Sequence, residues 1–192
     1  MLDQIIMLIM TTILSSLVYL LANYHTYTIG TQQNEPVLKD VFFDLLPDLS
    51  KYAYIRDIAL VLCIIPFFYI TSKLQFILET WNLFLIIVTL KAICIFFTFI
   101  PPSNTVCHKN IQNKNANIII KLNSLNHTYH QIFSGHNSFV FLVYLMYIKY
   151  GLFNLNCLTI LPVICYSLII LMTRCHYTVD IIVSYIIVYL LV

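Results

Sequence analysis

The chain has 192 residues, of which 60% are hydrophobic and only 9% are charged, and its mean hydropathy is +0.88. This composition excludes an ordinary water-soluble globular domain and predicts an integral membrane protein. The formal net charge is only +2 and no dense block of lysine or arginine occurs, so we exclude nucleic acid as a partner.

Six apolar segments are the main feature of the chain. A bilayer core of about 30 Å needs about 20 apolar residues in a helix, with about 17 as the lower limit. By that measure the sequence predicts an all-α fold, a polytopic membrane protein whose six transmembrane helices form a bundle. The predicted helices cover approximately residues 2–23, 58–71, 82–100, 134–150, 158–172 and 177–192.

Charged residues and prolines help to define the first three segments. The first has Asp3 as its only early charge and no cleavage site of small residues, so we interpret it as a retained helix and not as a signal peptide. The second contains Pro66 and is short unless it begins near Tyr52. The third ends at two consecutive prolines, Pro101 and Pro102, which cannot continue a helix.

Three polar connections are expected on one side of the membrane. They cover about residues 24–57, about residues 101–131 and the short turn at residues 173–178. Because six helices that cross in alternation place every second connection on the same side, these three connections face the same solution. The fourth and sixth helices therefore begin on that side and run in the same direction.

Two histidines and one aspartate lie at the start of these two parallel helices. His136 is in the first turn of the fourth helix, and His176 and Asp180 lie at the start of the sixth. Either histidine alone would indicate an interfacial or capping group. Residues four apart are neighbours on one helical face, so Asp180 can hold one ring nitrogen of His176 and raise the basicity of the other. Together the three residues are typical of an activated histidine nucleophile.

A phosphate-binding site is predicted beside these residues. Ser134 and Gly135 precede the fourth helix, whose free backbone N–H groups can hold a phosphate that glycine allows to approach closely. Arg174 and His136 can add charge, and phosphoryl transfer is the chemistry that needs such parts. Lys91, near the middle of the third segment, either pairs with an acidic side chain, extends to the interface, or joins the phosphate-binding residues.

The cysteines and the remaining histidines do not predict a metal centre. Cys63, Cys94 and Cys165 lie inside apolar segments, where a free thiol behaves as a small hydrophobe. His127 and His130 have no carboxylate or cysteine at a suitable metal-ligand spacing. We therefore expect no metal and no cofactor.

Two motifs, FSGH at residues 133–136 and HYTVD at residues 176–180, resemble those of a known family. The pair is similar to the sphingomyelin synthase and related lipid phosphotransferase family, a branch of the type 2 phosphatidic acid phosphatase (PAP2) superfamily whose motifs read YSGHT or FSGHT and HYTVD. The segments LKAICIFFTFIPP (residues 90–102) and EPVLKDVFFDLLPDL (residues 35–49) are similar to two further family segments. The resemblance covers about residues 35–192 and implies a PAP2-like bundle.

The resemblance implies roles for three residues. His176 would attack the phosphorus of a phospholipid head group, Asp180 would activate it, and His136 would protonate the leaving diacylglycerol oxygen. The phosphohistidine would then pass the head group to an acceptor alcohol such as ceramide. The implied partners are membrane lipids, namely a phospholipid donor with ceramide or diacylglycerol, and no metal is implied. The chain departs from the family pattern at Arg174, where the family commonly has a histidine.

Domain organisation and membrane orientation follow from the same resemblance. Residues 1–34 are expected to form the first transmembrane helix and the start of the first connection, and residues 35–192 the sphingomyelin synthase-like or PAP2-like catalytic core. Lysine and arginine are more numerous in the connections on the catalytic side, which by the positive-inside rule favours the cytoplasm. The resemblance implies the lumenal or extracellular face, which we expect, and there the sequon Asn126-His127-Thr128 would be open to glycosylation.

Three functions are consistent with the sequence. The leading hypothesis is a phospholipid head-group transferase of sphingomyelin synthase type, which moves a phospho-head group from a glycerophospholipid to a ceramide-type acceptor. The second is a PAP2-type lipid phosphatase or phospholipase C-like hydrolase, which uses water as the acceptor. The third is a catalytically inactive lipid-binding membrane protein, whose function would survive His176→Ala.

Overall fold

The computed structural model describes residues 2–30, 38–70, 74–98, 100, 103, 132–152 and 157–192. Every regular element in these ranges is helical, as the sequence predicts, and a 3₁₀ turn at Ser50–Tyr52 precedes the third helix. The α-helices are α1 Leu2–Gly30, α2 Val41–Leu45, α3 Tyr54–Ile70, α4 Leu74–Phe97, α5 Gly135–Lys149, α6 Cys157–Met172 and α7 Thr178–Leu191.

The six long helices fall on the six predicted apolar segments, but two of them begin earlier than predicted. α3 starts at Tyr54, and α4 starts at Leu74, about two turns before its predicted start. The added turns of α4 contain Glu79, whose carboxylate accepts hydrogen bonds from Lys149 at 2.8 Å and from the Tyr150 hydroxyl at 2.6 Å. Because these partners come from a distant part of the chain, hydropathy alone does not show that the helix continues through Glu79.

Two of the described helices are long and apolar enough to cross a bilayer. They are Ile6–His25 within α1 and the whole of α4, whereas α6 and α7 are apolar but shorter. The outward face of α7 is apolar as well, since Val179, Ile182 and Ile186 are each more than half exposed. Apolar helices with exposed apolar faces indicate a membrane protein. Six membrane crossings remain a prediction.

Contacts between helices show in which direction each one runs. Trp81 Nε1 donates to Thr12 Oγ1 at 3.0 Å, and the rings of His25 and Phe96 stack with 4.4 Å between centroids, so α1 and α4 are parallel. The ion pair between Lys149 and Glu79 joins the end of α5 to the start of α4, so these two helices are antiparallel. The end of α4 and the start of α5 therefore lie together, at what we call the site end of the bundle.

α5 lies at the centre of the packed helices. One cluster of buried apolar side chains joins α5 to α4 and α7 and includes Phe76 and Val188. A second cluster joins α5 to α6 and α7 and includes Tyr166 and Ile181. Because α5 packs on several neighbours, the position of its first turn is fixed relative to both α4 and α7.

A strap, residues 38–49, wraps around the turn between α6 and α7. The Leu49 N–H donates to the Met172 carbonyl at the end of α6 at 2.8 Å. The Phe43 ring stacks on Tyr177, with 5.5 Å between ring centroids. The strap thereby covers the segment that leads from α6 into α7.

Asp40 of the strap caps the N-terminus of α7. Its carboxylate accepts from the Thr178 N–H at 2.6 Å and from the Thr178 hydroxyl at 2.7 Å. The first N–H groups of a helix have no partner within the helix, and a carboxylate there is also favoured by the helix dipole. α7 thus has a cap from a distant strap residue in addition to the local cap, in which Asp180 accepts from the Tyr177 N–H.

Candidate functional site

The His176–Asp180 pair lies at the start of α7, where the sequence predicts it. His176 Nδ1 is 3.4 Å from Asp180 Oδ2, and the same oxygen accepts from the Tyr177 N–H at 2.9 Å. Both side chains are almost completely buried. The carboxylate therefore faces Nδ1 and leaves Nε2 as the nitrogen that can act on a substrate. Since 3.4 Å exceeds the roughly 2.8 Å of a strong charge-assisted hydrogen bond, the contact mainly orients the ring.

Ser134 joins the start of α5 to α7. Its N–H donates to Ser184 Oγ at 2.8 Å, and its own hydroxyl oxygen accepts from the Asn137 N–H at 3.2 Å. The Ser184 hydroxyl in turn donates to the Asp180 carbonyl at 2.7 Å. These bonds bring the first turns of α5 and α7 together, and half-buried His136 is in the first turn of α5. Ser134 thus acts in capping and packing, and its predicted contact with phosphate stays a prediction.

Lys91 of α4 lies against Gly135 at the start of α5. A methyl group added to Gly135 would lie 3.4 Å from Lys91 Nζ, so the glycine leaves room for the ammonium group. Lys91 is only 7% exposed, and no carboxylate of the described residues forms an ion pair with it. Among these ranges Lys91 thus has no direct ion pair of the kind that the sequence offered as one alternative, although its charge acts on the Asp180 carboxylate at longer range. A buried ammonium without a direct ion pair is costly, and a bound anion would reduce that cost.

Arg56 is a site residue that the sequence analysis did not identify. It lies in the first turn of α3, is buried, and forms an ion pair with exposed Asp57 at 2.5 Å. Its Nη1 donates to the Sγ of Cys175, the residue before His176, at 3.3 Å. The signal that could have revealed it is an arginine inside an extended second segment, since ionisable residues within apolar helices are by default functional.

Burial and two nearby cations act on His176. Burial of the imidazole, together with the positive charges of Lys91 and Arg56, lowers the pKa of His176 well below its usual value of 6.5. The ring is therefore neutral at physiological pH, which is the form that has a lone pair for attack. The same two cations would favour the approach of a phosphate group.

Arg174 contacts the strap. Its Nη2 donates to the Phe43 carbonyl and to the Leu46 carbonyl at 3.2 Å, and its guanidinium lies 4.3 Å from the centroid of the Phe43 ring. Its Nε is 3.9 Å from Asp48 Oδ1. Nη1 is buried and has no hydrogen-bond partner in the described part of the protein. Arg174 thus holds the strap on the turn, and its predicted contact with phosphate remains a prediction.

Several sequence predictions lie outside the described residues. These are the candidate metal ligands His127 and His130, the sequon at residues 126–128 and the prolines that follow α4. Among the residues that the structure describes, no three histidine, cysteine, aspartate or glutamate side chains cluster as metal ligands.

Comparison with known proteins gives one family match. Residues 131–192 match the family described as PAP2 superfamily C-terminal, which covers α5, α6 and α7 with all three predicted catalytic residues. Neither the curated proteins nor the solved structures contain a match to the chain. The match supports a relationship of this segment to the PAP2 superfamily and suggests chemistry related to lipid phosphatases, which act on phosphate esters.

Proposed function

We propose that this protein is an integral-membrane phospholipid head-group transferase, which moves a phospho-head group from a glycerophospholipid to a ceramide-type alcohol. The observation that supports it most directly is the buried His176–Asp180 pair, whose imidazole is influenced by the charge of buried Lys91. A neutral imidazole held by a carboxylate next to a cation has the parts that nucleophilic attack on a phosphodiester requires.

The first half-reaction forms a phosphohistidine. Nε2 of neutral His176 attacks phosphorus while its Nδ1–H donates toward Asp180, so a P–N bond forms as the P–O bond to diacylglycerol breaks. The leaving oxygen takes a proton from the His136 imidazolium. Lys91 stabilises the charge that develops on the non-bridging oxygens.

The second half-reaction returns the enzyme to its starting state. Neutral His136 accepts the proton of the acceptor hydroxyl, the acceptor oxygen forms a P–O bond, and the P–N bond to His176 breaks. The site end of the bundle suits this chemistry because a lipid phosphate lies at the ends of apolar helices and its acyl chains lie between them.

A hydrolase is the second candidate function, and the family match is compatible with it as well as with a transferase. The PAP2 superfamily C-terminal match suggests phosphatase-type chemistry, and water in place of the alcohol completes the same two half-reactions. The product distinguishes the candidates: the transferase forms a phosphorylated sphingolipid only when ceramide is present, whereas the hydrolase releases diacylglycerol or phosphate without it.

The test uses the full chain reconstituted in vesicles of mixed phospholipids that contain fluorescent ceramide. We expect a new phosphorylated sphingolipid whose rate of formation falls at least about a thousandfold in His176→Ala. His25→Ala on α1 is the matched control, since His25 stacks on Phe96 outside the proposed triad. Equal rates in wild type and His176→Ala would contradict both enzymatic functions and favour the lipid-binding protein.

A further inference from the structure

Helices α1 and α4 leave a cleft along their interface that the proposed chemistry does not use. Its two parts have volumes of about 840 Å³ and about 480 Å³, and both are lined by Thr11 of α1 and Asn82 of α4. The two parts therefore adjoin at Thr11 and Asn82, and we refer to them together as the cleft. Each volume is in the range of small-molecule binding sites, about 300–1,000 Å³.

The lining of the cleft is suited to hydrocarbon. Most lining residues are leucine, isoleucine or methionine. The hydroxyl groups are satisfied within the helices, since Thr11 Oγ1 is 2.8 Å from the Met7 carbonyl oxygen and Thr89 Oγ1 donates to the Leu85 carbonyl at 2.9 Å. Glu79 is paired with Lys149 and Tyr150. Gln75 and Asn82 also line the cleft, but most of the lining is aliphatic and favours an apolar ligand.

The cleft begins beside the site described above. Its upper part is lined by Leu90, the residue before Lys91, and by Ser15 on α1. One turn beyond Ser15, the Tyr19 ring lies 5.9 Å from Lys91 Nζ. The Lys91 ammonium therefore lies about one helical turn beyond the Ser15 end of the cleft.

The cleft is longer than the hydrocarbon depth of one leaflet. From Leu90 to Leu74 the lining follows α4 for 16 residues, which is about 24 Å at 1.5 Å per residue. One leaflet of a bilayer covers about half of the roughly 30 Å hydrocarbon core. An acyl chain of ordinary length therefore fits within the cleft.

We propose that the α1–α4 cleft binds one fatty acyl chain of the phospholipid donor while the phosphate of that lipid lies at Lys91. This inference rests on the proposed function, because it places the donor lipid whose phosphate is transferred. The acyl chain would extend from Lys91 along α4 toward Leu74. The length of the cleft would therefore determine which acyl-chain lengths give a high kcat/KM.

The first arm of the test measures chain-length preference in the reconstituted full chain. Thr11→Phe fills the shared middle of the cleft, and Asn82→Phe does so from the opposite wall. Ile13→Phe is the matched control, since Ile13 is exposed and lines neither part. We expect kcat/KM for a dioleoyl donor relative to a dihexanoyl donor to fall about tenfold in the two filling variants, and not in the control.

The second arm does not depend on turnover. In the His176→Ala background, a phosphatidylcholine with a diazirine at the end of one acyl chain is photocrosslinked and the labelled peptides are identified. We expect label on the cleft-lining residues of α1 and α4, lost in Thr11→Phe and kept in Ile13→Phe. Label spread evenly over the outer helices, or unchanged in Thr11→Phe, would overturn the inference. If the wild-type protein turns over no lipid, the proposed function is wrong. The crosslinking result still shows whether the cleft binds an acyl chain.

Discussion

His176 is flanked by charged groups that come from three separate helices. Asp180 follows it on α7, Lys91 comes from α4 and Arg56 comes from α3. The sequence could predict the first two, because His176 and Asp180 belong to one short motif and an intramembrane lysine is unusual. The place of Arg56 in an extended second apolar segment was a usable signal, but its contact with Cys175 could not be predicted, because it joins residues 119 positions apart.

The pH dependence of activity tests the influence of Lys91. Its positive charge disfavours the imidazolium form and so lowers the pKa of His176. In Lys91→Met that repulsion is lost, the pKa of His176 rises, and the proposed nucleophile is protonated at a higher pH. We expect the acid limb of a plot of kcat/KM against pH to move to higher pH, in addition to a lower plateau.

Lys149→Met is the control for this prediction, because Lys149 pairs with Glu79 at the other end of α4 and α5. It should leave the acid limb where it is in wild type. An unchanged acid limb in Lys91→Met would mean that the lysine does not act on the nucleophile.

At the scale of elements, the strap is the part of the first polar connection that packs on the start of α7. The sequence marks this stretch by its aspartates and aromatic residues. The predicted connection of about residues 24–57 is too long, because α1 continues to Gly30 and α3 begins at Tyr54. The sequence does not show that Asp40 caps α7, since caps within reach of sequence analysis come from residues adjacent to the helix. The approach of the strap to the turn is a tertiary contact that only the packed bundle provides.

Removal of the strap cap should affect stability and activity together. Asp40→Ala leaves the Thr178 N–H and hydroxyl without their partner, which we expect to lower the free energy of unfolding by about 1 kcal/mol. Because the capped residue, Thr178, is two residues from His176, the imidazole ring should also be misplaced. We therefore expect kcat to fall roughly ten- to hundredfold. Thermal unfolding in one detergent and head-group transfer measure the two effects.

Asp44→Ala is the matched control for the cap, since Asp44 is an exposed acidic residue of α2 on the same strap. It should change neither quantity appreciably. Equal behaviour of the two variants would show that the strap does not position the turn that carries His176.

At the scale of the whole molecule, hydropathy locates all six long helices, while their ends depend on partners that hydropathy does not count. The early start of α4 is the clearest case. Its added turns contain Glu79, whose charge is stabilised by hydrogen bonds from Lys149 and Tyr150. The directions of the helices agree with alternate crossing. α1 and α4 end at the site end, where α5 and α7 begin.

An even number of crossings places the start of α1 and the end of α7 on the same side of the membrane. With the site on the lumenal face, as we expect, both lie in the cytoplasm. A tag before α1 and a tag after α7 should therefore both be digested by protease added to intact microsomes. Digestion of one tag with protection of the other would contradict six crossings, and protection of both would place the site on the cytoplasmic face.

Arg174 has a φ of 54°, a left-handed backbone conformation that costs an arginine on the order of 1 kcal/mol. A designer who optimised each residue for its local backbone would replace it with glycine, which adopts this conformation freely. That choice would discard the guanidinium contacts to the Phe43 and Leu46 carbonyls, which fasten the strap. Redesign of this protein for stability should therefore keep the arginine, although the backbone conformation at that position favours glycine.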